Sequence, residues 1–516
     1  MGIIARQSIK GTIATYLGVA VGVITTFFIQ TKYLAPDEIG LVDVLIQSAV
    51  LFSGLAQLGT CNSAIRYYPA FKDPENRDNG FFGWTLLVPL IGFAIFLVAF
   101  FLFKGAIADY FSEKSKLFVD YIYFVIPLAF FMLYLAVFET NSNLLMRIVV
   151  PRFMREVGLR VMALVIYLLY GFHVISLRGM VIAFCISYAL ATLINVVYLF
   201  SLQRVSFKID RKFITPKLKR DFLLYTLFMV AAALSGSITP MLNKYFLAGM
   251  DGLFATGIFT IATYIAVLVE MPYRSLGAIS KPQISQAMSD GDIKEADRVC
   301  KSVSLHQFLV GSFIFFLIWI NIDLVFSIMP HGSIYQAGKW VVFIIGISRL
   351  INSTLNVGVT VLSYSKIYYY SLFFTILLTV LAIILNLKLI PVWGMNGAAL
   401  ATLFAYTLHY LLLLALIRWK IGTSPLAFGH LKVLLVIVVL FALDLLWERT
   451  LTQPIISLFG EAHIWKVSVG ALVEGVLRSL VLVVLGILVV YKLKISQSVN
   501  AVIEKVLGAL SGRKTE

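Results

Sequence analysis

Long apolar stretches follow one another along this chain with little between them. Each covers roughly 17–25 residues, the length an α-helix needs to cross the hydrocarbon core of a bilayer. The pattern predicts spans at approximately 8–31, 40–64, 80–104, 119–140, 153–175, 179–203, 222–249, 252–273, 304–329, 337–362, 367–389, 395–419, 429–447 and 468–492. Fourteen such spans predict an all-α integral membrane protein. The polar segments between them are short, the longest being 204–221, 281–303 and 448–467. Arg6 and Lys10 precede the first span as in a secretory signal. That span is too long for a signal core and another follows directly, so a retained first helix is expected.

Composition supports this class. Apolar residues make up 60% of the chain and charged residues 13%, against about 25% charged in an ordinary soluble domain. A net charge of +16 would suit nucleic acid, but its distribution points elsewhere. With the N-terminus in the cytoplasm, most of the Lys and Arg fall in cytoplasmic segments: Arg66, Lys72 and Arg77, then Arg147, Arg152 and Arg155, a dense run in 204–220, and the tail. The opposite side holds few, among them Lys32, Lys104 and Lys466. This bias places both termini in the cytoplasm and makes the basic surplus a topology signal, with no nucleic-acid partner. Cys61, Cys185 and Cys300 lack the spacing of a disulfide or metal set and read as small core residues. No cofactor is expected. With no room for a soluble catalytic domain, the chain does not read as an enzyme.

The chain also repeats. Thr31-Lys32-Tyr33 closes the first span and Asn243-Lys244-Tyr245 the seventh, an offset of 212. Gly179 opens the sixth and Gly394 the twelfth, an offset of 215. Two anchors at nearly equal offset predict a six-helix lobe over 1–203, a basic cytoplasmic linker at 204–221 and a second lobe over 222–420. Residues 421–516 supply two further helices and a tail. An even number of helices per half makes this a parallel repeat, whose lobes are able to rock in alternating access.

Several segments carry a resemblance. The run from Asn386 through Ile390-Pro391 to Gly394, Gly397, Ala398, Ala399 and Thr402 is similar to a helix-end and Gly-x-x-Gly-Ala-Ala signature. Gln57-Leu58-Gly59 through Arg66, Leu247 to Met250 with Gly257, and Lys281-Pro282 with Gly291-Asp292 match in the same way. Together they resemble the polysaccharide-export, O-antigen-type flippase branch of the multidrug/oligosaccharidyl-lipid/polysaccharide exporter superfamily. These are mostly packing and turn residues. The resemblance implies a MATE-like architecture in the bacterial inner membrane, flipping a polyprenyl-pyrophosphate-linked oligosaccharide for lipopolysaccharide or other surface glycan. It further implies membrane lipid, a polysaccharide polymerase and chain-length machinery as partners.

Such a cargo needs cations at depth for its phosphates, and an Arg fork suits them. Arg349 lies far inside an apolar span, where a charge costs roughly 2.5–3.5 kcal/mol on insertion scales. Asn352, Asn356 and Thr360 follow on the same helical face. The other reading of Arg349 is structural, bonded to backbone carbonyls or a neighbouring carboxylate. Arg160 either recruits anionic headgroups or snorkels. Lys244 and its repeat mate Lys32 are weaker substrate-binding candidates, whose other reading is interfacial. Asp43, Glu139 and Glu270 are the weak ion-coupling candidates, each placed near a helix end. Glu474 and Arg478, spaced i, i+4, read as a structural pair that Asp444 joins.

Asp290 and Asp292 have glycosyltransferase-like spacing but read as a turn and helix cap, and His409 as a core histidine. The competing functions are an ion-coupled drug or cation antiporter, disfavoured by a first span without a carboxylate, and a flippase for the peptidoglycan precursor. A membrane polymerase or transferase would need a large loop.

Overall fold

A computed structural model describes residues 17–73, 77–202, 241–459, 463–464, 467–495, 500 and 504. Arg6, Lys10, the 204–221 linker and most of the 222–249 span lie outside these residues. The elements are α1 (Leu17–Tyr33), α2 (Pro36–Ala56), α3 (Phe81–Ser112), α4 (Val125–Leu144), α5 (Leu159–Gly171), α6 (Leu177–Ser201) and α7 (Leu253–Val267). They continue with α8 (Met271–Ser289), α9 (Ile293–Ile320), α10 (Lys339–Ser363), α11 (Tyr369–Lys420), α12 (Phe428–Thr450) and α13 (Val469–Lys492). Residues 241–250 are helical as well. The one sheet among the described residues pairs His463–Ile464 with Val467–Ser468 just before α13. The protein is an all-α membrane fold. Among the described residues, ten helices are long and apolar enough to cross a bilayer.

The outer faces of these helices show why a membrane is required. Ile95, Val98, Phe101, Leu102 and Phe103 on α3 are all more than half exposed, as are Leu435, Val438, Val439, Leu445 and Leu446 on α12. Apolar surface on this scale is not stable against water.

The chain divides into two compact units, Met1–Thr260 with Asn386–Ala398, and Ile261–Leu385 with Ala399–Glu516. In the first, Phe82 of α3, Phe138 of α4 and Leu199 of α6 share one core. In the second, Leu309 and Phe316 of α9 pack with Val433, Val436 and Leu440 of α12 and with Leu482 and Val490 of α13. A further core joins Phe374 to Tyr410, Leu413 and Ile417.

Two boundaries differ from those expected, each for a local reason. α2 begins at Pro36 rather than near 40, because proline fits the first helical position and the Ala35 N–H donates to Glu38 at 2.9 Å. Asp43 therefore lies about two turns inside α2 and is not an end residue. Glu270, by contrast, is at a helix end as expected, at the N-cap of α8. It closes the 3₁₀ turn Leu268–Glu270 that joins α7 to α8. The polar segment 281–303 is helical on both flanks, and only Asp290 to Asp292 form the turn.

α11 covers two expected spans. As a straight rod its 52 residues would extend about 78 Å, more than twice the bilayer core of about 30 Å. The break is at Gly394, with φ 52° and ψ −131°, and Asp251 Oδ2 lies 2.7 Å from where a Cβ would be. Beyond it the chain folds back, so that His409 Nδ1–H donates to the Phe374 carbonyl at 3.1 Å.

α2 and α7 touch at backbone level. A Cβ on Gly257 would lie 2.0 Å from the Pro36 carbonyl oxygen, and one on Gly40 would lie 2.2 Å from that of Leu253. Backbone cannot yield as a side chain does. Gly257→Ala is expected to lower unfolding stability by about 1–3 kcal/mol, read as an earlier thermal midpoint of the solubilised protein. An unchanged midpoint would show that the two helices separate freely.

Candidate functional site

The second unit gathers a polar network around Arg349. α10 carries Arg349, Asn352 and Asn356 on one face, as their spacing requires. Arg349 Nη1 donates to Glu270 Oε2 at 3.0 Å, and both side chains are about four-fifths buried. Asn352 Nδ2 donates to Glu270 Oε1 at 3.3 Å. Tyr410 of α11 donates its hydroxyl to Asn352 Oδ1 at 2.6 Å and accepts from Asn356 Nδ2 at 3.3 Å. Tyr273 at the start of α8 donates to Asn356 Oδ1 at 2.7 Å. Tyr406 stacks on Tyr410. The Arg349 Nε is buried and has no hydrogen-bond partner. Arg349 is thus held by one carboxylate while keeping donor capacity in reserve. Thr360, further along the face, is buried and joins none of these bonds.

In the first unit Lys244 is not interfacial. Only 7% exposed, its ammonium lies 2.7 Å from Asp43 Oδ2, which also accepts from Thr260 Oγ1 at 3.2 Å. Next to it, Tyr245 donates to Ser48. Lys32, the repeat mate, is exposed, with its ammonium 4.9 Å from the centre of the Tyr33 ring. The difference is one of partners: Lys244 faces a carboxylate across the packing, and Lys32 ends α1.

Glu139 accepts from Arg155 Nη1 at 3.0 Å, with Arg155 half exposed. Arg160 lies 3.6 Å from Glu156 and beside Gly22 of α1, with its side chain about one-third exposed. Asp292 caps α9 by accepting from the Glu295 N–H at 2.9 Å. The structure therefore joins two lists that the sequence kept apart. Each of Asp43, Glu139 and Glu270 rests against a cation, and two of those cations, Lys244 and Arg349, were the phosphate-binding candidates. Tyr273 and Tyr410 were missed. For the ion pairs, the available signal was the rarity of opposite charges within the spans, which pair by default at such depth; nothing in the sequence marked the two tyrosines.

With this geometry in view, the comparisons become informative. A family model described as "Polysaccharide biosynthesis protein" matches residues 8–288, and the chain belongs to that family. No curated protein sequence matches it. Among solved structures, the lipid II flippase MurJ in an inward closed conformation is similar at a TM-score of 0.67 and 14% identity, covering 92% of this chain and 98% of that one. An inward-facing multidrug resistance MATE transporter of the MOP superfamily matches at 0.59 and 15%, covering 82% and 100%. A MOP superfamily transporter from Pyrococcus furiosus matches at 0.54 and 15%, covering 81% and 95%. These likenesses establish the MurJ/MATE fold.

Breaking a buried pair leaves the other charge uncompensated. Lys244→Met is expected to cost about 3–5 kcal/mol of stability, and adding Asp43→Asn should restore most of it. Thermal unfolding of the single and double variants decides this, and equal losses in both would show that the two charges do not depend on each other.

Proposed function

We propose that this protein flips a polyprenyl-pyrophosphate-linked oligosaccharide across the bacterial cytoplasmic membrane for surface polysaccharide synthesis. The observation that carries this reading is the Arg349 network within a chain of the polysaccharide biosynthesis family. A pyrophosphate presents several anionic oxygens, and a guanidinium receives two of them in a planar fork. Arg349 gives Glu270 its Nη1, so its Nε and Nη2 are left to offer that fork, and the phosphate charge then draws the guanidinium away from Glu270. Substrate and Glu270 thus compete for one cation, and the released carboxylate is where a proton or coupling cation would bind. The Asn352, Asn356, Tyr273 and Tyr410 groups offer donors and acceptors of the kind that sugar hydroxyls need. Lys244 is spent on Asp43, so it is a weaker phosphate ligand than Arg349. Arg160, partly exposed and next to Arg152 and Arg155, remains a candidate for drawing anionic headgroups to the inner leaflet. Lys32 would act at the opposite end of its helix. Alternating access by two six-helix lobes supplies the movement.

A second reading has one observation in its favour, the MurJ likeness over 92% of the chain. It differs in the headgroup carried, since the peptidoglycan precursor is also a polyprenyl-pyrophosphate glycan but bears a peptide as well.

Deleting the gene should remove the surface glycan and leave its lipid-linked repeat unit on the inner leaflet. Intact glycan pools with changed sensitivity to cationic drugs would instead indicate the antiporter. In the complemented strain, Arg349→Ala should cut export about ten- to hundredfold, the equivalent of one hydrogen bond to a charged group at about 1.5–3 kcal/mol. The double variant Arg349→Ala/Glu270→Gln, which strands no charge, should hold membrane abundance while export stays low, and Arg349→Lys should recover part of the export. Normal export in Arg349→Ala would remove Arg349 from the phosphate site.

A further inference from the structure

The two helices beyond the repeat hold a cluster whose charges do not cancel. Arg478 of α13 stands between two carboxylates, its Nη1 3.6 Å from Asp444 Oδ1 on α12 and its Nε 3.5 Å from Glu474 Oε1. Glu474 is well held, accepting from Trp447 Nε1 at 3.1 Å and from Thr452 Oγ1 at 2.9 Å. Arg478 spends its Nη2 on the Ile320 carbonyl at the end of α9, at 2.5 Å. Asp444 is treated differently. It is 93% buried, and its Oδ1 points at the guanidinium without reaching hydrogen-bond distance and accepts no hydrogen bond.

Among the described residues, the surrounding groups do not make up the deficit. Along α12, Glu448 adds another negative charge. From the α9 side come the Ile320 carbonyl and the uncharged Asn321, which donates to Ser479 at 2.8 Å. Asp323, just beyond α9, is largely exposed and bound to Lys339 at 2.7 Å. One guanidinium thus faces two buried carboxylates, and a surplus buried carboxylate is neutralised more cheaply by a proton than left ionised.

We propose that Asp444, Glu474 and Arg478 form a proton-binding site, in which Asp444 carries one exchangeable proton. The site is chemically separate from the Arg349–Glu270 pair, and it stands whether or not the cargo is a lipid-linked glycan. Uptake forms an O–H bond on the Asp444 carboxyl, with the proton supplied by water at the end where α12 and α13 are joined. Release returns the proton to that water, and no electrons move. A metal cation fits less well, because it wants several oxygen ligands and would sit against a fixed guanidinium. When the proton leaves, the ionised Asp444 draws Arg478 in from 3.6 Å and weakens its hold on the Ile320 carbonyl. The proton therefore sets how firmly α13 is tied to the end of α9. On the orientation read from the basic residues, that end faces the outside, so the site would respond to external pH.

The test is an infrared difference titration of the full-length protein in lipid. A protonated-carboxyl band is expected to disappear on alkalinisation, to shift on labelling with carbonyl-13C aspartate, and to be lost in Asp444→Asn but kept in Glu270→Gln. The labelling arm uses the wild-type chain, so a poorly folding variant does not leave the matter undecided. A band unmoved by aspartate labelling, or one lost in Glu270→Gln and kept in Asp444→Asn, overturns the proposal. So does sodium-dependent stabilisation that Asp444→Asn abolishes in the absence of any such band.

Discussion

Neutralising charge inside an apolar helical protein is the constraint on which the rest of this structure depends. Hydrocarbon cannot solvate an ammonium or a carboxylate, so a buried charge must find its opposite. Lys244 finds Asp43, Arg349 finds Glu270, and Arg478 finds Asp444 and Glu474. Apart from Arg478–Glu474, which lies within α13, each of these contacts ties together segments distant in sequence or neighbouring helices. Pairs of this kind add little net stability compared with apolar packing, since desolvation consumes most of the attraction. What they add is dependence: each partner becomes expensive once the other is removed.

The fold was legible because the bilayer imposes a length. Runs of about 20 apolar residues leave few alternatives to a helix, and expected spans such as 179–203 and 429–447 overlap α6 and α12 closely. Boundaries failed where polar residues belong to helices. Asp37 and Glu38 at the start of α2 looked like loop, yet acids in a first turn are stabilising. Lys281 and Asp297 similarly hid the continuity of α8 and α9 with their neighbours in the membrane. Hydropathy reports where lipid is, and a helix continues past that point as long as its backbone bonds are satisfied.

The candidate site was half legible. The stripe Arg349, Asn352, Asn356 follows from helical periodicity alone, because all three lie on one element. Glu270, Tyr273 and Tyr410 come from other elements, and no spacing in one dimension encodes which helices become neighbours. The repeat misled in one place. It assigned Lys244 the environment of Lys32, but likeness between two helix ends in sequence does not extend to the residue facing each, and Asp43 faces Lys244.

A balance of charge also separates the parts of the molecule by what they are able to do. The Lys244–Asp43 and Arg349–Glu270 pairs are matched one to one, so either can open only if a ligand or ion takes the place of the departing partner. For Lys244, 7% exposed and packed beside Tyr245 and Ser48, no ligand has an obvious way in. For Arg349, about one-fifth exposed, with a buried Nε lacking a partner and amide and phenol groups around it, the exchange has both access and donors. The two pairs therefore differ in exposure as well as in the shape of the cation. The cluster on α12 and α13 is unmatched and needs no ligand to open, because gain or loss of a proton changes its balance directly. A protein built this way separates its tasks by stoichiometry. A tight pair lies in the first unit, a more accessible pair in the second, and an uneven triad joins α12 and α13 to the end of α9.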